Sequence, residues 1–212
     1  MMPGAMGAYD LFSNFYDASL EKLYAEHRQL AVQALAPTPG AVVLDVPCGT
    51  GQSFDALASA VGANGLILGI DASAGMLRRA QTRIDKRGLT GVHVHAADAA
   101  KLDKAVLAAA AGRTLAINHL HVFLGMSVFP EMQATFERLW ALLEPGGRCV
   151  LVDVHSAELG LQGWLVNRLA GAEIRRRFWE PLERVAQDFQ RTDLPFRKQH
   201  GGQIMLAQGT KR

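Results

Sequence analysis

The chain has 212 residues, of which 49% are hydrophobic, which is enough to bury the core of one domain. Its formal net charge is only +2 and no basic block is present, which argues against a nucleic-acid binder. The two cysteines, Cys48 and Cys149, are far apart and lack metal-ligand spacing, so we expect no metal site, no disulfide framework and a reducing, cytoplasmic location.

The N-terminus is not typical of a signal peptide, and no apolar run reaches the length of a membrane span.

Apolar residues recur at helical spacing from Ser19, which predicts a long amphipathic helix that Pro37 and Pro39 end. An aromatic cluster precedes this helix: Tyr9, Phe12, Phe15 and Tyr16. The cluster either packs between the helix and the rest of the domain or covers a ligand.

Residues 41–51, AVVLDVPCGTG, predict a buried strand that leads into a glycine turn. Residues 53–61 then predict a helix, and strand, turn and helix together are the entry unit of a nucleotide-binding α/β fold. Phe54 stands where a dinucleotide-binding turn has its third glycine. Asp45 at the strand end favours a cationic ligand over a pyrophosphate, through Coulomb attraction.

The sequence VLDVPCGTG resembles the first motif of class I S-adenosylmethionine-dependent methyltransferases, an acid followed by alternating glycines. Pro47 replaces the first of those glycines and removes one backbone N–H donor. S-adenosylmethionine carries an ammonium and a sulfonium, which suit a carboxylate. The resemblance implies that the following residues bind this cofactor: Asp45, Val46, Pro47, Gly49, Thr50 and Gly51.

Residues 66–70 predict a second strand, and Asp71 after it can accept hydrogen bonds from ribose hydroxyls. The sequence that follows, DASAGMLRRA, is similar to the family pattern, with Ser73 as a helix N-cap. By itself Met76 would be an ordinary core residue. The resemblance implies that Asp71, Ala72 and Met76 contact the adenosine part of the cofactor.

Residues 92–96 predict a third strand. His93 and His95 alternate with valines on it, which indicates a structural role. The family places an acid after this strand to accept from the adenine amino group, and the resemblance assigns this role to Asp98, with Ala99 beside it.

Residues 102–111 predict a helix that ends at Gly112, and residues 114–120 predict a fourth strand. In open α/β sheets the ligand cleft lies outside the carboxyl ends of the strands. This strand would place Asn118 beside the cofactor and His119 and His121 near the transferring methyl group. Each histidine alone is more typical of a structural residue.

Pro130 opens a predicted helix, and the Leu-x-Pro-Gly-Gly pattern before a strand at 149–154 is another family motif. This strand delivers Asp153 and His155 to the same cleft. Residues 158–186 predict two helices, of which the second carries a basic run at 175–177. Residues 196–199 and 203–210 predict a closing hairpin.

The resemblance implies one α/β domain with a doubly wound, mostly parallel seven-stranded sheet, helices on both faces and an antiparallel last strand. Residues 1–36 form a helical cap segment and residues 37–212 the S-adenosylmethionine-binding domain, with Tyr16 as a substrate contact. The implied reaction is methyl transfer to a small-molecule oxygen, nitrogen or carbon nucleophile.

A hydroxyl or ammonium acceptor requires a general base, whereas an activated carbon does not. The candidates for catalysis are two histidines of the fourth strand, His119 and His121, and two residues at the end of the fifth strand, Asp153 and His155.

Two other classes remain open from the residues. A non-catalytic protein of the same fold would fit the departures at Pro47 and Thr114, where the family often has an aspartate. A nicotinamide oxidoreductase is disfavoured by Phe54 and Asp45. A flipped-base substrate is also disfavoured, because the Asn/Asp-Pro-Pro-aromatic tetrapeptide of amino-methylating DNA enzymes is missing.

Overall fold

The computed structural model describes residues 21–158, 160, 163–164, 167–168, 171–196 and 200–212. The helices are α1 (Ala25–Leu35), α2 (Phe54–Val61), α3 (Ala74–Arg87), α4 (Lys104–Ala111), α5 (Met132–Leu142) and α6 (Glu180–Val185). The strands are β1 (Val42–Asp45), β2 (Leu66–Asp71), β3 (Val92–Ala96), β4 (Ile117–Phe123), β5 (Leu143–His155), β6 (Gln187–Asp193) and β7 (Gln203–Thr210). A short 3-10 helix spans Ala99–Lys101.

The seven strands form one sheet in the order β3-β2-β1-β4-β5-β7-β6. Strands β1 to β5 are parallel to one another, and β7 lies between β5 and β6 and is antiparallel to both. The mostly parallel sheet with an antiparallel last strand, predicted from the sequence, is therefore confirmed.

Buried apolar residues form two clusters, one on each face of the sheet. Val43 belongs to the first cluster and Leu44 to the second, because successive strand residues point to opposite faces. Helices α1, α2 and α3 contribute to the first cluster, whereas α4, α5 and α6 contribute to the second. This confirms that helices cover both faces, so that the central strands are buried and a site can form at their ends.

The helix ends near the cleft follow local sequence signals. Ser73 is the N-cap of α3, and its Oγ accepts a hydrogen bond of 3.3 Å from the N–H of Met76. Gly112 takes a left-handed conformation at the end of α4, as predicted.

Strand β4 begins at Ile117, three residues later than the sequence indicated, and ends at Phe123. The prediction of a strand over 114–120 was therefore wrong in its bounds, because residues before Ile117 make no ladder with β1 or β5. The shift matters for function, since Asn118 and His119 move to the amino-terminal half of the strand.

The predicted closing hairpin is wrong in its first strand. Strand β7 matches residues 203–210, but it pairs with β6 at Gln187–Asp193. Phe196 lies outside any strand, and residues 197–199 lie outside the described residues. Strand β6 is an exposed edge strand with the polar sequence QDFQRTD, so it lacks the apolar alternation that reveals a strand in a sequence.

The basic run at 175–177 is also not helical. Its three arginines lie in turns that precede α6, whose helix begins only at Glu180.

In the part of the chain that the structure describes, no helix combines the length and apolar character needed to cross a membrane.

Candidate functional site

A cleft of about 680 Å³ opens at the carboxyl ends of the central strands. Its walls come from the turns after β1, β2 and β3, and from residues 123–130, 153–154 and 171–174. Tyr24 and Arg28, beside and within α1, close one side. The cleft lies where ligands bind in open α/β sheets, next to the reversal of strand order at β1 and β4.

The glycine turn after β1 is shaped by the Phe54 ring. Gly49 and Gly51 have φ angles of +54° and +75°, which non-glycine residues rarely adopt. A Cβ at Gly51 would come within 2.5 Å of the Phe54 ring, and a Cβ at Gly69 of β2 within 2.6 Å. The fully buried Phe54 therefore fills the space under the turn, where the dinucleotide pattern would place a glycine.

Asp71 ties the turn after β2 to the glycine turn. Its Oδ2 accepts a hydrogen bond of 2.9 Å from the N–H of Gly49, and its Oδ1 accepts one of 2.8 Å from the N–H of Ser73. Burial raises the pKa of Asp71, and these two N–H donors oppose that shift. Each carboxylate oxygen can still accept a second hydrogen bond, so Asp71 can serve a ligand as well as the loop.

Asp45 is held by a histidine from the neighbouring strand. Its Oδ1 lies 2.7 Å from Nδ1 of His121, and the side chains of both residues are almost fully buried. Oδ2 of Asp45 makes no hydrogen bond to the described residues. Asp45 lines the cleft, whereas His121 lies behind it and does not.

The third acid, Asp98, lies at the rim. Its Oδ1 accepts a hydrogen bond of 3.0 Å from the N–H of Ala100, which caps the 3-10 helix, and its side chain is 51% exposed. Most of the residues predicted to bind the cofactor are brought together on the wall. They are Asp45, Val46, Pro47, Gly49, Thr50, Asp71, Ala72, Met76, Asp98 and Ala99.

Asp153 is the predicted catalytic residue that lines the cleft. Ser127 holds both of its oxygens, through an N–H donor to Oδ2 and an Oγ donor to Oδ1, each at 2.8 Å. The N–H of Val154 also donates to Oδ1. Complete burial is the main reason that the pKa of Asp153 is raised to about 6, against the opposing effect of these donors.

The three histidines predicted to act in catalysis do not line the cleft. Burial, helped by repulsion from Arg148, lowers the pKa of His119 to about 4. The ring of His155 packs edge-on against Trp179 with centroids 4.9 Å apart. His121 contacts Asp45, as described above.

Two predicted cofactor residues also lie off the wall, and a third residue cannot be placed. Asn118 instead joins β4 to β1, since its Oδ1 accepts a hydrogen bond of 2.8 Å from the N–H of Val42. Gly51 shapes the turn without lining the cleft. Tyr16, the predicted substrate contact, lies outside the described residues.

Sequence reasoning missed several residues of the wall. Ser127 comes from a loop with no recognisable motif, and Phe123 and Phe129 are apolar residues of the kind that any core contains. Arg28 could have been found, because a charged residue on the buried side of an amphipathic helix is unusual. Its guanidinium lies 5.6 Å from the centroid of the Phe123 ring and donates to the carbonyl of Glu21. Within the described ranges, no group of three or more metal-ligating side chains is found.

Comparison with known proteins identifies the family to which this chain is similar. A profile of the family described as "Methyltransferase domain" matches residues 37–188. The chain is 30% identical over 140 residues to a nocamycin O-methyltransferase from Saccharothrix syringae, covering 66% of this chain and 47% of that protein. It is also 30% identical over 159 residues to a 2-phytyl-1,4-naphtoquinone methyltransferase from Synechococcus elongatus, covering 70% and 63%. The chain thus spans about half the length of the curated relatives it matches.

A solved structure shares the fold at much lower identity. It is the geranyl diphosphate C-methyltransferase from Streptomyces coelicolor A3(2), crystallised with Mg²⁺, geranyl diphosphate and S-adenosyl-L-homocysteine. The two chains have a TM-score of 0.70 and 14% identity, over 92% of this chain and 82% of that one. At this identity the likeness concerns the fold alone.

Proposed function

This chain belongs to the methyltransferase domain family, and on that premise we propose that it transfers a methyl group from S-adenosylmethionine to a small-molecule acceptor. The observation that carries the proposal is the placement of Asp45, Asp71 and Asp98 at three successive strand ends around one cleft. They offer carboxylates to an ammonium, a ribose and a purine amino group.

The cofactor half of the cleft fits this ligand. Oδ2 of Asp45 is buried without a hydrogen-bond partner among the described residues, and a cation bound there would remove that cost. Asp71 holds the glycine turn through Gly49 and retains acceptor capacity for ribose hydroxyls. Ala72, Met76 and Ala99 provide an apolar bed beside Asp98 for a purine.

The other half of the cleft is apolar and indicates the class of acceptor. Its walls include Phe123, Leu124, Val128, Phe129 and Ile174. Such walls favour a flat or branched apolar molecule, with few polar groups to fix its orientation. The naphthoquinone methyltransferase among the relatives is consistent with this reading. We therefore propose a hydrophobic, ring-containing acceptor with one nucleophilic atom.

Asp153 is the base that we propose for this acceptor. The bound cofactor supplies an electrophilic methyl group on a positively charged sulfur, and the chain's residues need to align the acceptor and remove its proton. As the acceptor atom bonds to the methyl carbon, the carbon–sulfur bond breaks and the electron pair goes to sulfur. The acceptor proton goes to the carboxylate of Asp153, whose raised pKa of about 6 suits exchange with solvent near neutral pH.

The N-terminal residues complete the proposal. Tyr24 and Arg28 line the cleft next to Phe123, which supports a capping role for residues 1–36 and, within them, for Tyr16. We also propose a cytoplasmic location, since Cys48 and Cys149 are both buried free thiols that suit a reducing compartment.

The test combines calorimetry with product analysis. We expect S-adenosylmethionine and S-adenosylhomocysteine to bind, and NAD not to bind. Incubation with methyl-deuterated S-adenosylmethionine and a panel of phenols, hydroquinones and aliphatic alcohols should yield a product carrying the labelled methyl group. Failure of both cofactor forms to bind would overturn the proposal. Binding without labelled product across the panel would favour the non-catalytic alternative.

A further inference from the structure

We infer that His121 is a positioning residue, which fixes Asp45 so that one carboxylate oxygen is presented to the ammonium group of the cofactor. The inference deepens the proposed function and rests on it. It gives His121 a different role from the general base that its position in the sequence suggested.

The sheet register brings the two residues together. Strands β1 and β4 are parallel neighbours, and Asp45 is paired with His121 in the register. Side chains at paired positions of adjacent strands project from the same face, so the imidazole and the carboxylate lie side by side. The 2.7 Å contact has almost no access to solvent, with side-chain exposures of 0% and 2%. A charge-assisted hydrogen bond in such surroundings is strong and directional.

The contact fixes which nitrogen carries the proton. An ionised carboxylate only accepts hydrogen bonds, so Nδ1 of His121 donates to Oδ1 of Asp45. The imidazole lies nearly parallel to the Phe123 ring, with ring centroids 6.0 Å apart and an angle of 15° between the planes. Asp45 and Phe123 both line the cleft, whereas His121 does not. The histidine therefore stands behind the wall, and its hydrogen bond reaches the cleft through Asp45.

The two oxygens of Asp45 have different surroundings as a result. Oδ1 is engaged by His121, while Oδ2 is buried with no hydrogen bond to the described residues. With the donor in place, the carboxylate has one orientation in which Oδ2 remains available. Without it, neither oxygen has a side-chain donor among the described residues, and the carboxylate can turn away from the bound cation. His121 therefore prepares the site before the cofactor arrives, which lowers the cost of binding.

Two polar substitutions separate positioning from simple packing. His121→Asn retains an N–H donor close to the place of Nδ1, whereas His121→Gln moves the donor to the place of Nε2. S-adenosylhomocysteine carries the ammonium group and adenosine lacks it. Calorimetry should show about a tenfold weaker affinity of the Gln variant for S-adenosylhomocysteine. This is less than the loss of about 30-fold expected for a direct hydrogen bond to a charged group, because His121 acts through Asp45. We expect adenosine affinity to be unchanged and the Asn variant to recover most of the loss.

Kinetics gives a second readout once a labelled acceptor is found. The Gln variant should have a raised KM for S-adenosylmethionine and nearly unchanged kcat at saturation, because His121 acts only on cofactor binding. The control is Leu120→Val, a core change on the same strand whose side chain belongs to the opposite face. It should lower the melting temperature and leave the preference for S-adenosylhomocysteine over adenosine intact.

Several outcomes would overturn the inference. Equal losses for adenosine and S-adenosylhomocysteine in the Gln variant would show a general structural role. A large fall in kcat with unchanged affinity would make His121 a base instead. If the unsubstituted protein binds adenosine and S-adenosylhomocysteine, and both variants bind them equally well, the inference fails while the proposed function stands. If the unsubstituted protein binds neither, the proposed function fails too.

Discussion

The two halves of the cleft use the same residue type in opposite ways. In the cofactor half, Asp71 and Asp98 accept hydrogen bonds from backbone N–H groups of adjacent loops, and Asp98 is 51% exposed. In the acceptor half, Asp153 is fully buried, and Ser127, 26 positions away in the chain, holds both of its oxygens. In the first arrangement, backbone N–H donors oppose the effect of burial on the pKa of Asp71. In the second, complete burial raises the pKa of Asp153 against the opposing effect of the Ser127 donors, which prepares this carboxyl group to exchange a proton.

The difference teaches that burial, more than residue type, assigns the role. Burial raises the pKa of both Asp71 and Asp153 against hydrogen-bond donors, and the pKa of the completely buried Asp153 reaches about 6. An acid with a raised pKa in a cleft is typical of a functional group. Removing one carboxylate from each half, and then measuring turnover and cofactor affinity, tests this difference.

The largest effect is expected in the acceptor half, from Asp153→Asn. The amide cannot take the acceptor proton, and general bases contribute a factor of about 100 or more to rate. Turnover measured by transfer of the labelled methyl group should fall about 100-fold, while calorimetry shows cofactor affinity within about threefold of normal. Asp193→Asn on the exposed edge strand β6 is the control, and it should change neither quantity. Full turnover in Asp153→Asn would remove this residue from the mechanism.

A smaller effect is expected in the cofactor half from Asp71→Ala, and it concerns cofactor affinity and not turnover. The substitution removes the acceptor of the Gly49 and Ser73 N–H groups as well as the proposed ribose contact. A lost hydrogen bond to a charged group costs about 2 kcal/mol, or roughly 30-fold in affinity. S-adenosylhomocysteine affinity measured by calorimetry should fall by about that factor.

The matched control is Asp103→Ala. Its carboxylate caps α4 by accepting from the N–H of Val106, and it does not line the cleft. It should lose about 1 kcal/mol of stability as a cap and keep its affinity. Similar losses of affinity in both variants would show that Asp71 acts only by supporting the fold.

The last expected effect is a pH dependence of stability that comes from Asp153. The pKa of its carboxyl group is about 6 in the folded protein and near 4 when unfolded, so the folded state binds more protons between these values. The contribution of this group to stability is therefore greatest below pH 4 and declines as the pH rises to 6.

Urea unfolding of the unsubstituted protein and Asp153→Asn at several pH values isolates this contribution. The free energy of unfolding of the unsubstituted protein, minus that of the variant, should decrease between pH 4 and 6 and be constant above. Turnover should rise as the pH passes through about 6, where the base ionises. A constant difference in stability across the range would mean that the pKa of Asp153 is the same in both states.

The sequence by itself determined which residues meet in the proposed cofactor half. Asp45 and Asp71 end strands β1 and β2, the glycine turn and Asp98 closely follow β1 and β3, and parallel strands bring their carboxyl ends to one edge. Such sites depend on local signals, namely an apolar run and the turn residues after it. The same reasoning predicted the Ser73 cap and the range of strand β7, since their signals are also local, whereas the antiparallel direction of β7 followed from the family resemblance.

Apart from Asp153, which the sequence already placed in the cleft, only the tertiary structure decided the proposed acceptor half. Strand β4 lies three residues later in the sequence than predicted. Asn118 and His119 therefore lie away from the cleft, and His121 lies beside Asp45. Ser127 and Ile174 reach the wall from segments without motifs, and β6 lacks alternating apolar residues. The physical reason is that strand register and loop placement depend on packing between segments far apart in the chain. The residue pattern of one segment constrains them only weakly.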